Sequence, residues 1–175
     1  MNEKALTAVM EDYLEAIFDI GQDKSFVRVK DIAQRMNVTM PSVTSMLKTL
    51  NDKGLVRYEK YEYVDLTKAG RGVGGEMRRR HNILRRFMTE VLKIDFAIAD
   101  DDACKMEHAL SIGTLDSLTD FMKFIKICPC AGESWLQCFE EYREHGRNPE
   151  RCQERREQIT RQFEKEFAAS NGRNT

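Results

Sequence analysis

The chain has 175 residues, of which 33% are charged, with a formal net charge of -1 and five cysteines. This length allows one large domain or two small ones, and an odd number of cysteines argues against a secreted disulfide framework. Residues 1–14 alternate polar and apolar side chains, which excludes a signal peptide, and no segment approaches the roughly 18 apolar residues of a membrane helix. We therefore expect a cytoplasmic protein with reduced cysteines and no membrane partner.

Charge is distributed unevenly along the chain. Basic side chains dominate residues 24–60 and again residues 68–86, where Glu76 is the single acidic residue. Residues 90–120 reverse this sign, because eight acidic side chains face only Lys93 and Lys105. A basic first half suits DNA phosphates and an acidic middle suits cations.

Three helices are predicted in the first third of the chain. Apolar residues recur at helical spacing over residues 5–20, and Gly21 is the expected end of that helix. A short extended stretch over residues 26–29 precedes a second helix over residues 30–36. After a tight turn, the third helix is predicted over residues 40–53.

The third helix carries its own boundary signals. Thr39 is the expected cap, Pro41 is tolerated in the first turn, and Gly54 ends the helix. After Gly54 the spacing of the apolar residues is no longer helical, and residues 55–66 predict two short strands joined by a turn near residues 60–62. Three helices followed by a two-stranded wing are typical of a winged helix-turn-helix, whose third helix enters the major groove of DNA.

The rest of the chain is predicted to be helical, with Cys128-Pro-Cys as a break. The expected helices cover residues 68–92, 99 or 100 to 110, 114–124, 133–144 and 149–169. Glycines at positions 70, 72, 74 and 75 lie inside the first of these, and each costs about 1 kcal/mol relative to alanine. Two explanations stay open for them, namely close backbone packing or a locally weak hinge.

A metal-binding pattern lies in the acidic middle of the chain. Cys104, Glu107 and His108 occupy positions i, i+3 and i+4 of a predicted helix, so their side chains share one face. Thiolate, carboxylate and imidazole ligands together suit a divalent ion such as Fe(II), Co(II), Ni(II) or Zn(II), with Mn(II) possible. The alternative is a half-buried cysteine beside a solvated Glu–His pair.

Other candidate ligands stand far from this pattern in the sequence. Asp12 and Glu15 are spaced i, i+3 on the first helix, and His81 follows a run of three arginines. Taken alone, each is an ordinary surface or core residue. They become candidate ligands only if the fold brings the first helix against the fifth.

The third helix is expected to present short hydroxyl side chains and a basic residue to DNA, which suits base edges and phosphates. The alternative is a pair of packed helices with no role in DNA binding. The residues predicted to contact DNA are Arg28, Thr39, Pro41, Ser42, Thr44, Ser45, Lys48 and Lys60.

Several motifs in register resemble one family, the diphtheria toxin repressor and manganese transport regulator family. The resemblance covers about residues 6–130. It includes EDYLEAI at residues 11–17, VRVKDIA at residues 27–33 and EHALS at residues 107–111. Shorter matching segments are residues 41–44, 54–56, 58–61, 66–67 and 80–81.

The resemblance implies a homodimer that binds palindromic, double-stranded operator DNA when loaded with Fe(II) or Mn(II), and that controls metal uptake or homeostasis genes. It also implies two metal sites. The primary ligands would be Asp12, Cys104, Glu107 and His108, and a second, weaker site would use Glu15, His81 and Asp100.

The sequence mixes two branches of that family. Cys104 is typical of the iron-type members, whereas Asp12 is typical of the manganese-type members. Arg85 stands where a glutamate ligand is common, so the second site is expected to be absent or altered. Arg85 is then expected to pair with a carboxylate such as Glu15 or Asp100.

The expected fold is mainly α. It has a winged helix-turn-helix domain over residues 1–67, a helical metal-binding and dimerisation domain over residues 68–127 and a cysteine-containing helical tail over residues 128–175. The tail cysteines allow a structural zinc or iron–sulfur site, and a redox or iron–sulfur sensing regulator is the alternative function. An enzyme is not expected, because no catalytic motif is present. The cysteines concerned are Cys128, Cys130, Cys138 and Cys152.

Overall fold

The structure is a computed structural model that describes residues 6–59, 63–127, 132–146 and six isolated helical positions between residues 154 and 165. It is mainly helical, as predicted. The chain divides into two compact units. The first contains residues up to Arg85 together with Phe96–Leu110, and the second contains Arg86–Asp95 and the residues from Ser111 onward.

The first unit begins with a winged helix-turn-helix. Its elements are α1 (Ala8–Asp23), α2 (Val29–Met36), α3 (Met40–Asp52), β1 (Val56–Arg57) and β2 (Asp65–Leu66). The two strands are antiparallel, with Val56 opposite Leu66, and an isolated bridge joins Val27 to Val64. This order confirms the predicted arrangement of three helices and a wing.

Local signals place the boundaries of α2 and α3. Asn37 adopts a left-handed conformation with a φ of 54°, which makes the tight turn between them. The Thr39 hydroxyl accepts a hydrogen bond from the Ser42 N–H at 3.4 Å, as expected of a cap. Gly54 ends α3 with a φ of 70°, a conformation that favours glycine.

The predicted end of α1 at Gly21 is wrong, since the helix continues to Asp23. The Lys24 N–H donates to the Ile20 carbonyl at 2.9 Å and closes the last turn. A Cβ at position 21 would lie 3.8 Å from Val27, so the glycine packs beside the extended segment without breaking the helix. Tertiary packing here outweighs the low helix propensity of glycine.

The winged helix-turn-helix, from α1 to β2, is called the head below. Its core is formed by side chains from all three helices and from the wing. Leu14 and Ile17 on α1 meet Ile32 on α2 and Leu47 on α3, and all four are nearly inaccessible to solvent. Because α1 supplies one wall of this core, its opposite face is left to carry polar residues.

The long helix α4 (Lys68–Arg86) packs closely against the head. A Cβ added at Gly70 would lie 1.9 Å from the Leu55 carbonyl oxygen, and one at Gly74 would lie 2.5 Å from the Leu14 carbonyl oxygen. No atom lies within 4 Å of the corresponding position at Gly72. Close packing therefore explains Gly70 and Gly74, but it does not explain Gly72.

The predicted helix over residues 68–92 is helical as far as Val91, but its last turn, Phe87–Val91, is π-helical instead of α-helical. The next helix, α5 (Phe96–Met106), starts and ends about four residues earlier than predicted. The Ala109 N–H donates to the Met106 carbonyl at 3.0 Å, which tightens the chain and ends the α-helix before Glu107. Glu107 and His108 therefore lie in the turn after α5.

The second unit contains α6 (Ile112–Ile127) and α7 (Gly132–His145). The Ser111 hydroxyl accepts the Thr114 N–H at 3.2 Å at the start of α6, and Gly146, with a φ of 71°, follows α7. The Arg143 guanidinium donates to the Leu92 carbonyl at 2.6 Å within this unit. None of the helices in the described part of the chain is long and apolar enough to span a bilayer.

Some predictions fall on residues that the structure does not describe. These are the wing turn with Lys60, most of the helix over residues 149–169, and Cys128, Cys130 and Cys152. The predicted domain boundaries after residues 67 and 127 remain a prediction. The compact units are partitioned differently, because α4 up to Arg85 and all of α5 lie in the same unit as the head.

Candidate metal centre

Glu107 is the central residue of the candidate metal centre. Its side chain is fully buried, and its Oε1 atom has no hydrogen-bond partner. Its Oε2 atom lies 3.0 Å from His81 Nδ1 on α4. A buried polar atom without a partner costs about 1–3 kcal/mol, so this oxygen requires an explanation.

Two clusters of potential ligands share Glu107. The first cluster is Asp12, Glu107 and His108, and the second cluster is Glu15, His81 and Glu107. Within each cluster, one ligand atom from every residue lies within 4.8 Å of the others. The structure therefore brings the first helix against the turn after α5, as the candidate ligands on α1 require.

The first cluster joins residues that are distant in sequence. His108 Nε2 lies 2.7 Å from Asp12 Oδ1 and 3.7 Å from Glu107 Oε1. His108 Nδ1, on the other edge of the ring, lies 2.7 Å from Glu11 Oε2. Glu11 was not among the residues predicted from sequence, because nothing in its spacing separates it from an ordinary surface acid.

In the second cluster, Asp100 does not lie among the ligand atoms. Its Oδ1 atom is 3.0 Å from His81 Nε2, the nitrogen that faces away from Glu107. The same oxygen accepts a hydrogen bond from Arg85 Nη1 at 2.9 Å. Arg85 thus pairs with Asp100, one of the two partners expected for it.

Cys104 lies beside the clusters without belonging to either, and its side chain is exposed at the end of α5. Although the residue is exposed overall, desolvation of its sulfur by the surrounding protein, together with the carboxylates of Glu107, Asp12 and Glu15, raises the pKa of the thiol to about 11. A thiolate is therefore unfavourable here until a cation offsets the carboxylate charge.

The pKa values of the two α1 carboxyl groups in the clusters, Asp12 and Glu15, are also raised. Burial raises the pKa of Asp12, and burial together with the charge of Glu107 raises the pKa of Glu15 to about 7. Raised carboxyl pKa values indicate that the charged forms are held with too little compensating positive charge. A divalent cation would supply that charge.

The backbone of the turn after α5 is held from α4. Arg80 Nη1 donates to the carbonyls of Glu107 and Leu110 at 3.2 and 3.3 Å. This contact satisfies carbonyl groups that follow the helix end and fixes Glu107 and His108 in place. The sequence analysis did not identify this role of Arg80.

The donor atoms fit a divalent transition metal. Carboxylate oxygens and imidazole nitrogens suit Mn(II) and Fe(II), and an adjacent thiol suits softer ions such as Zn(II). The Glu107 Oε1 and Glu15 Oε1 atoms are both buried, belong to these clusters and accept no hydrogen bond. Their ion-pair contacts are long, at 3.7 Å from His108 Nε2 to Glu107 Oε1 and 3.8 Å from Arg78 Nη1 to Glu15 Oε1, so a bound cation would give both oxygens a closer partner.

The predicted DNA-binding face of α3 is accessible. Thr39, Pro41, Ser42, Ser45 and Lys48 are exposed, and Thr44 is half-buried. Arg28 is also exposed, and its guanidinium lies 5.5 Å from the centre of the Tyr63 ring at the edge of the wing. The opposite face of α3 carries the buried core residues Val43, Leu47 and Leu50.

Comparison with known proteins identifies the family. Residues 5–64 match the iron dependent repressor N-terminal DNA binding domain, and residues 67–136 match the iron dependent repressor metal binding and dimerisation domain. The chain belongs to the iron-dependent repressor family. This confirms the resemblance noted from the sequence motifs and the class of metal-dependent transcriptional repressors.

Relatives in the iron-dependent repressor family include an HTH-type transcriptional regulator MntR from Bacillus pumilus (strain SAFR-032). It is 34% identical over 120 residues, which are 69% of this chain and 83% of that protein. Nothing in these matches supports the alternative of a redox or iron–sulfur sensor.

Solved structures of the iron-dependent repressor family share this fold. The manganese regulator SloR aligns with a TM-score of 0.59 and 29% identity, over 69% of this chain and 56% of SloR. A manganese-dependent transcriptional repressor in complex with manganese aligns with a TM-score of 0.61 and 28% identity, over 66% of this chain and 53% of that chain. The chain thus spans little more than half the length of these two solved relatives.

Proposed function

We propose that this chain represses metal-uptake genes by binding palindromic operator DNA as a homodimer when Mn(II) occupies the clusters around Glu107. One observation carries the proposal. The first cluster joins Asp12 on α1, a helix of the DNA-binding head, to Glu107 and His108 in the turn after α5. A cation bound there would restrain the head directly.

The coupling follows from the two faces of α1. Leu14 and Ile17 are buried in the head, whereas Asp12 and Glu15 face Glu107. A bound divalent ion supplies positive charge and a fixed connection among these carboxylates. It favours the DNA-competent state only by its differential affinity for that state, and DNA must then tighten metal binding by the same factor.

Mn(II) is the preferred candidate because three of the five cluster residues are carboxylates, namely Asp12, Glu15 and Glu107, which suit this ion. Relatives named for manganese agree with this choice. Fe(II) is the second candidate, since Cys104 lies beside the carboxylates and offers a softer ligand.

The proposal is tested by titrating fluorescently labelled promoter DNA from the protein's own locus with wild-type, His108→Ala and Cys104→Ala chains. Titrations contain Mn(II), Fe(II) without oxygen, Zn(II) or chelator. We expect wild-type binding to require metal, with a coupling of about 5- to 150-fold. His108→Ala should lose the response to every metal, whereas Cys104→Ala should lose the response to Fe(II) and Zn(II), for which the thiol is an additional ligand, and both variants should remain folded dimers by sedimentation and circular dichroism. Wild-type binding that is equally tight in chelator would reject a metal-dependent repressor, and a variant that keeps the full response would reject its assignment as a ligand.

Lys48→Ala should weaken DNA binding without changing Mn(II) affinity. Lys48 is exposed on α3, so loss of one phosphate contact should reduce the slope of log K against log salt by about 1. Lys123→Ala is the charge-matched control, because Lys123 lies on α6 and pairs with Asp120 at 3.1 Å. A salt slope that is the same in Lys48→Ala as in the control removes Lys48 from the phosphate contacts.

A further inference from the structure

Both histidines of the candidate metal centre use their two ring nitrogens in the same way. One nitrogen faces the shared Glu107, and the other contacts a carboxylate outside both clusters. For His108 the outer carboxylate is Glu11, at 2.7 Å from Nδ1. For His81 it is Asp100, at 3.0 Å from Nε2.

This arrangement has a direct chemical consequence. A neutral imidazole binds a metal through the nitrogen that carries no hydrogen, and the other nitrogen then carries the N–H group. A carboxylate that accepts this N–H selects the tautomer, fixes the ring orientation and makes the free nitrogen a stronger donor.

We infer that Glu11 and Asp100 are positioning residues of the metal centre, which hold His108 through Nδ1–H and His81 through Nε2–H so that the opposite nitrogens face Glu107. The inference rests on the proposed metal-dependent function of the same clusters. It adds Glu11, which the sequence did not single out, and gives Asp100 a role other than that of a ligand.

The position of Glu11 distinguishes it from its neighbour Asp12. Asp12 Oδ1 contacts His108 Nε2, and Glu11 Oε2 contacts Nδ1 on the other edge of the ring. As the two side chains are placed, one ion bound to Nε2 can contact Asp12 but not Glu11. Two consecutive residues of α1 therefore have separate roles, one within the first cluster and one behind its histidine.

Asp100 is itself held in place. Arg85 Nη1 donates to the same Oδ1 atom that His81 contacts, and Arg85 Nη2 donates to Asn82 Oδ1 at 2.9 Å. The Arg85 guanidinium also lies 5.0 Å from the centre of the Phe96 ring. The arginine therefore compensates the charge of Asp100 and keeps it directed at His81, which explains a basic residue so close to a cation site.

The test compares Glu11→Ala with Glu11→Gln, and Asp100→Ala with Asp100→Asn, because each amide retains an oxygen that accepts the histidine N–H. Mn(II) affinity is measured by calorimetry, and the absorption spectrum of bound Co(II) reports the ligand geometry. Asp23→Ala is the matched control, since Asp23 is an exposed acid in the last turn of α1 and belongs to neither cluster. Circular dichroism of the metal-free variants verifies folding.

We expect each alanine variant to bind Mn(II) about 10- to 100-fold more weakly and to alter the Co(II) spectrum. The amide variants should recover most of the affinity. In the Zn(II)-loaded wild type, long-range 15N–1H correlation spectra should show the proton of His108 on Nδ1 and that of His81 on Nε2.

Three results would overturn the inference. These are Mn(II) affinity and Co(II) spectra unchanged in the alanine variants, equal losses in the alanine and amide variants, or the opposite tautomers. A different result would reject the proposed function itself, namely Mn(II) binding by His108→Ala and Glu107→Gln that is as strong as in the wild type. Loss of Mn(II) binding in those two variants with no effect of Glu11→Ala would reject the positioning role alone.

Discussion

Glu107→Gln is expected to abolish stabilisation by Mn(II), because Glu107 belongs to both clusters. A ligand present at 100 times its dissociation constant stabilises the wild type by about 2.7 kcal/mol. For a chain of this size, that corresponds to a rise in melting temperature of roughly 5 to 11 °C. The variant should show almost none of this rise in thermal unfolding followed by circular dichroism.

His81→Ala is the informative comparison for Glu107→Gln. It removes one residue of the second cluster and leaves Asp12, Glu107 and His108 in place. This variant should therefore keep part of the Mn(II)-induced rise and bind fewer ions per chain than the wild type. A Glu107→Gln chain that is stabilised by Mn(II) as strongly as the wild type would show that the metal binds elsewhere.

Gly70→Ala is expected to destabilise the first unit by about 3 kcal/mol or more, because overpacking against backbone cannot be relieved by a side-chain rotation. The new Cβ would lie 1.9 Å from the Leu55 carbonyl oxygen. Gly72→Ala is the matched control on the same helix, where no atom lies within 4 Å. It should stabilise the protein by about 1 kcal/mol through higher helix propensity. Urea unfolding measures both changes.

Gly74→Ala separates stability from metal binding. Its Cβ would lie 2.5 Å from the Leu14 carbonyl oxygen and 2.9 Å from Phe18, so α1 must move away from α4. Because α1 carries Asp12 and Glu15 and α4 carries His81, we expect weaker Mn(II) binding as well as lower stability. Equal stability of Gly70→Ala, Gly72→Ala and Gly74→Ala would contradict close packing of α4 on the head.

The head of the protein could be predicted from sequence because its signals are local. The Thr39 cap, the left-handed residue at Asn37 and Gly54 act within a few residues of their own helix ends. Gly21 gave the wrong helix end because its effect depends on the neighbouring Val27, which local propensity does not contain. The same limit left the glycines of α4 without a single explanation.

The metal centre was only partly accessible to sequence reasoning. The spacing of Cys104, Glu107 and His108 indicated converging ligands, and the turn after α5 still brings Glu107 and His108 together although the helix ends at Met106. The contact of His108 with Asp12 spans 96 positions, so only the family resemblance pointed to it. Glu11 could not be found in this way, since its role depends on the orientation of one imidazole ring.

The exposed position of Cys104 has a consequence for metal selectivity. Glu107 is buried, so a substitution there affects packing and both clusters together, and such a change is hard to tolerate. Cys104 lies at the solvent-exposed edge of the metal centre. Replacing its thiol with a carboxylate side chain would change the softness of the ligand without opening a cavity in the core. Under the proposed function, a substitution at position 104 would therefore change the metal preference, while the buried Glu107 would keep the connection to α1.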